Sequence, residues 1–93
     1  MVIGLLTLDL HFPQSRSLKD KRRELAGLRD RVRRRFNAAV AELDFQDLWQ
    51  RSRIGIVTLN SEAGVVERDL EAVLRDVEVH LDGLVAAAEK RLI

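Results

Sequence analysis

The side chains in this chain best placed to do chemistry are bases, and they are crowded. Between Arg16 and Arg35 lie ten of the sixteen Lys and Arg residues, with only three acids, Asp20, Glu24 and Asp30. That segment carries +7 in a chain whose net charge is +1. Arg16, Lys19, Lys21, Arg22, Arg23, Arg29 and the run Arg33 to Arg35 read as lying off the apolar stripe of a single helix. Such a face attracts phosphate without regard to sequence, and its binding weakens as salt is raised. Arg16, Lys19, Lys21, Arg22, Arg23 and Arg29 are therefore the candidate nucleic-acid contacts. The plainer alternative is a solvated helix face, because residues 62–82 hold seven acids against two bases and can neutralise a neighbouring basic helix.

A second group, Asp47, Trp49, Gln50 and Arg51, contains the only Trp of the chain. Trp and Arg are enriched where partners bind most tightly, which makes this segment a candidate partner-binding turn. Its alternative is an apolar plug at one end of the core. Glu42, Asp44 and Asp47 form a small acidic group, but acid–base work would need a pocket that shifts their pKa values. A solvated strand edge and turn is the simpler reading. His11 and His80 are isolated and there is no Cys, so neither a metal site nor a disulfide is expected. An acyl-phosphate hydrolase of this size would pair Arg16 with Asn37 or Asn60. It would also need a phosphate-cradling Gly-rich loop, which Pro13 to Ser17 does not supply. No nucleophile, cofactor or catalytic residue stands out, so a binding module is expected before an enzyme.

These residues need elements to hold them. The length suits one domain, 1–93, with a modest core. The apolar opening is too short to span a bilayer and no basic segment precedes it, so a cytoplasmic protein is expected. The phrase VIGLLTLD at 2–9 returns as RIGIVTLN at 53–60. Each copy is followed by a Ser, Ser17 or Ser61, and then by an amphipathic segment. The first helix is capped by Ser17, with Asp20 behind it as a capping acid, and its stripe is Leu18, Leu25, Leu28, Val32 and Phe36. Asn37 is its expected stop. The second starts at Asn60 or Ser61, runs along Val66, Leu70, Val73, Leu74, Val77 and Leu81, and stops at Gly83. Ala38 to Asp44 and 52–59 are strands. Residues 84–93 have helical propensity, yet the duplicated plan calls for a fourth strand there.

The predicted fold is α+β: a ferredoxin-like βαββαβ sandwich, a four-stranded antiparallel sheet in the order 4-1-3-2 with both helices on one face. Strands one and three are expected at its centre, parallel to each other. Ile3 and Leu5 point to one side of strand one, and Val2, Leu6, Leu8 and Leu10 to the other. Strand three repeats this with Ile54 and Ile56 against Val57 and Leu59. Two helices cover one face only, so a homodimer through the open sheet face is expected.

The strings SLKDKR at 17–22, FNAAVAELD at 36–44 and DLWQRSRIGIV at 47–57, together with the opening IGLLTLDLHFPQSRS, carry a resemblance. They resemble the YlxP-like family of small uncharacterised bacterial proteins, over most of residues 2–60. The resemblance implies a ferredoxin-like fold. It also implies genes near those of translation initiation factor two and ribosome-binding factor A, and so an RNA or ribosome partner linked to translation or ribosome maturation. The family-like polar positions are Ser17, Lys19, Lys21, Arg22, Asn37, Glu42, Asp44, Asp47, Trp49 and Gln50. The Lys-x-Lys-Arg cluster and the Asp-Leu-Trp-Gln turn form either one surface or two.

Overall fold

Alternation along the two long strands decides which side of the sheet the helices cover. In the computed structural model, which describes residues 1–93, the order is β1 (Val2–His11), α1 (Leu18–Arg35), β2 (Ala39–Asp44), β3 (Arg51–Asn60), α2 (Ala63–His80) and β4 (Val85–Leu92). The sheet order is β2-β3-β1-β4, and every neighbouring pair is antiparallel. This is the expected ferredoxin-like βαββαβ arrangement, with residues 84–93 supplying the edge strand β4. Pairing to β1 overrides the helical propensity of Ala86, Ala87 and Ala88.

One expectation is corrected. β1 and β3 are adjacent but antiparallel, in a register that sets Val2 opposite Asn60 and His11 opposite Arg51. Each crossover helix joins strands that lie one place apart, so β1 runs parallel to β2 while β3 fits between them in the opposite sense. The repeated phrases also exchange faces. Gly4 and Ile54 turn to the helices, whereas Ile3 and Gly55 turn to the open side. The repeat marks two strands that pair, not two equivalent positions of a duplication.

Leu6, Leu8, Leu10, Ile54 and Ile56 form the sheet side of the core. Leu25, Leu28 and Val32 of α1 and Val66, Leu70, Val73 and Val77 of α2 meet them. Ser17 caps α1 as expected, its Oγ accepting from the Asp20 N–H at 3.0 Å, while Asp20 Oδ2 accepts from the Arg16 N–H at 3.0 Å. The helix ends on extended Phe36, one residue before Asn37. α2 is capped by Glu62 rather than Asn60 or Ser61, with no side-chain cap bond. Asn60 Oδ1 instead accepts from the Glu62 N–H at 3.1 Å. Gly83 turns the chain from α2 into β4 at φ +75°.

The basic and acidic helices are neighbours, joined at Asp76. Arg31 donates to both of its carboxylate oxygens, at 2.9 and 3.0 Å, and Arg35 Nη1 lies 3.1 Å away. Burial pushes the Asp76 pKa upward, but the hydrogen bond from Arg31 and the charges of Arg31, Arg35 and His80 outweigh it and hold it below the usual range.

Candidate functional site

Lys21 organises one end of the molecule. It sits three residues after Leu18 and four before Leu25, which puts it on the inward stripe of α1. Its side chain is fully buried. Nζ donates to the carbonyls of Phe45, Gln46 and Arg51 at 2.8, 3.2 and 3.3 Å, and lies 2.9 Å from Glu42 Oε2. Ser52 Oγ donates to the same carboxylate oxygen at 2.6 Å. Lys21 is thus withdrawn from the candidate phosphate contacts: its buried ammonium faces three carbonyls and a carboxylate of the protein itself.

The segment that Lys21 holds is the β2–β3 turn, 45–50. Phe45 takes φ +65°, a left-handed conformation costly for a bulky residue, and its N–H donates to Asp44 Oδ1 at 2.8 Å. Gln50 ties the turn to the loop before α1: its Nε2 donates to the carbonyls of Pro13 and Ser15 at 3.2 and 3.1 Å. The Phe12 N–H donates back to the Gln50 carbonyl at 2.9 Å. The result is a turn fixed from two sides that carries Leu48 and Trp49 into solvent, 46% and 54% exposed. Trp49 is therefore not a plug in the core. Lys21, buried itself, ties α1 to the turn that carries Asp47, Leu48, Trp49 and Gln50.

Arg16, Lys19, Arg22 and Arg23 are exposed around the start of α1, and Arg29 is partly so. None of the five makes an ion pair, whereas Arg31 and Arg35 do. At 3.6 residues per turn, Lys19, Arg22, Arg29 and Arg33 share one flank of α1, about 180° from the side on which Arg31 and Arg35 meet α2. Lys19, Arg22 and Arg29 therefore face away from the acidic helix, whereas Arg23 lines a groove with His80 and Leu81 at the end of that helix.

A family model described as "Protein of unknown function (DUF503)" matches residues 3–90. The chain belongs to the DUF503 family. A Bacillus subtilis (strain 168) relative, "Uncharacterized protein YlxP", is 32% identical over 77 residues, which are 83% of this chain and 84% of that one. Among solved structures, "De novo designed protein Foldit4" is similar in fold, with a TM-score of 0.56 at 17% identity over 99% of this chain and 94% of that one.

In this DUF503 chain the other polar candidates separate. Asp44 and Asp9 flank Arg53 on the open sheet face, Asp9 Oδ1 accepting from Arg53 Nε at 2.8 Å and Asp44 Oδ2 lying 3.6 Å from Nη1. That hydrogen bond, with the positive charge behind it, holds the Asp9 pKa below its usual range against a smaller opposing effect of burial. Arg51 lays its guanidinium 4.0 Å from the centroid of the Phe45 ring, and its Nε is buried without a hydrogen-bond partner. Asp47 is exposed. Glu42, Asp44 and Asp47 thus do not share a pocket: Glu42 points to the helices and Asp44 to the open face. Nor do Arg16 and the two Asn residues converge. Arg16 precedes α1, Asn37 follows its far end, and Asn60 lies opposite Val2 at the other end of the sheet. No three His, Asp or Glu side chains gather as a metal ion would require, and no helix is long and apolar enough to cross a membrane.

Residues not singled out from the DUF503 sequence also shape the site. Ser52 and Phe45 do so through long-range packing that has no local signature. Lys21 had a signal, its phase on the Leu18–Leu25–Leu28–Val32 stripe, which the surrounding bases obscured.

Proposed function

We propose that the protein is an RNA- or ribosome-associated binding module acting in the cytoplasm, with a role in translation or ribosome maturation. Arg16, Lys19, Arg22, Arg23 and Arg29 would contact phosphate. The observation that carries this reading is the unpaired basic flank of α1. The ion pairs from α2 to α1 go to Arg31 and Arg35 on the opposite side, so neutralisation by the acidic helix does not account for that flank. The gene neighbourhood implied by the resemblance agrees.

Co-sedimentation with ribosomal subunits across a salt series tests it. If four phosphates are neutralised, single-strand affinity should fall about 50-fold between about 50 and about 200 mM salt. Changing Lys19, Arg22 and Arg23 together to Glu, with Lys21 untouched, should abolish binding. All three side chains are exposed, so folding should survive. A variant that co-sediments with an unchanged salt dependence would sink the reading.

A second reading, compatible with the first, is a homodimer through the open sheet face. Leu43, Val57 and Leu59 are 49%, 37% and 53% exposed there. Leu5 lies opposite Val57 in the register, and the nearby charges pair among themselves as Asp9, Arg53 and Asp44. A self-complementary patch of this kind suits a two-fold axis. Light scattering should give twice the chain mass, and Val57→Glu should halve it. A monomer in the unsubstituted protein ends this reading.

A further inference from the structure

The basic flank explains attraction to phosphate but not the exposed indole beside it. Trp49 borders two shallow grooves. One is lined by Pro13, Ser15, Arg16, Trp49 and Gln50, and the other by His11, Asp47, Leu48, Gln50 and Arg51, so that the cationic one is the groove with Arg16. Arg16 thus shares a groove wall with Trp49, and Lys19, Arg22 and Arg23 continue the positive surface along the first turns of α1. A large apolar ring in solvent is disfavoured unless something covers it. Here the ring is also held ready. Lys21 anchors the turn carbonyls from inside, and Gln50 fastens the neighbouring residue to the loop that carries Arg16.

We propose that Trp49 is a base-stacking platform and that this end of the molecule takes single-stranded nucleic acid, with one base on the indole and the adjoining phosphates at Arg16 and Lys19. The inference rests on the RNA-binding reading above and narrows its ligand. An aromatic platform beside a cationic groove is how single strands are held without sequence preference, because every base offers a π face. A duplex keeps its bases stacked inside and gains nothing from the indole. The β1 and β3 surfaces, where related folds stack bases, carry no Phe, Tyr or Trp, so Trp49 at the turn takes that place.

Trp49 is the only Trp, so its fluorescence reports the contact directly. The probes are a short oligouridine, an RNA duplex of equal length and inorganic polyphosphate, which has charge but no bases. Oligouridine should quench Trp49, and the other two should leave its emission nearly unchanged. Trp49→Leu should weaken oligouridine binding about 5- to 100-fold while leaving the salt slope and polyphosphate affinity as they were. Trp49→Phe should recover part of the loss. If oligouridine binds Trp49→Leu as tightly as the parent, or the duplex quenches equally well, stacking is wrong and the turn is left as a protein-docking knob. In that event, loss of all three probes in the Lys19, Arg22 and Arg23 variant would still uphold the phosphate-binding flank. If no probe binds the parent protein, the RNA reading fails and this inference with it.

Discussion

Lys21→Met is expected to destabilise the protein by about 3–5 kcal/mol, the range for removing one partner of a buried ion pair. Methionine fills similar space, so the loss is electrostatic rather than a cavity. It leaves Glu42 facing the core with Ser52 as its remaining partner, and strips the carbonyls of Phe45, Gln46 and Arg51 of a donor. Buried acceptors without donors keep their full desolvation cost. Lys21 also fastens α1 to the β2–β3 turn, so Trp49 should become more mobile, which fluorescence anisotropy would show. Removing both charges with Lys21→Met and Glu42→Leu should recover part of the stability, since an apolar pair leaves no uncompensated carboxylate. Urea unfolding of the parent and the two variants checks this. A Lys21→Met protein within about 1 kcal/mol of the parent would mean that the ammonium is not the strut described here. The same geometry dictates that any charge-reversal test of the basic flank must spare this residue. A Glu at position 21 would face Glu42 and three carbonyls, and loss of binding would then report unfolding.

Gly4→Ala should cost about 1–3 kcal/mol, the usual penalty for overpacking a closed core. α2 crosses β1 at this residue. A Cβ there would collide with Val66 Cγ1 and come within 2.9 Å of Leu70 Cδ1. Both side chains are fully buried, so neither can swing into solvent. The helix would have to lift from the sheet. Gly27 provides the matched contrast. It is exposed inside α1 with nothing within 4 Å of an added Cβ, and nothing in the packing calls for glycine there. The same change at Gly27 should stabilise by about 0.5–1 kcal/mol through helix propensity alone. Thermal unfolding of the two variants should therefore move in opposite directions. A destabilisation at Gly27, or none at Gly4, would contradict the packing described.

Much of the architecture follows from local physics that can be read along the chain. Alternation in 2–10 and 52–59 separates a core face from an open face, and the period of the Leu and Val residues marks both helices. Ser17 at the start of α1 and Gly83 after α2 act through capping and backbone freedom, which depend on few neighbours. Strand β4 was legible only through the plan of the whole, because its own residues favour helix and pairing to β1 reverses that preference. The exposed positions of Lys19, Arg22 and Arg23 likewise follow from their phase on α1.

Tertiary structure decided the rest. Whether β1 and β3 run parallel depends on which strand is inserted between the ends of each crossover, and no residue in either strand encodes that direction. Lys21 reads as one base among ten until α1 is laid against the β2–β3 turn. Only then do three carbonyls and Glu42, distant in sequence, converge on its ammonium and withdraw it from solvent. Trp49 is similar. Its indole could serve equally as core plug or partner-binding anchor from the sequence, and Gln50 and Lys21, by pinning its turn outward, place it in solvent rather than in the core. A charged or aromatic side chain has large free energies in either environment, so its role is set by the partners that folding brings to it and not by its own type.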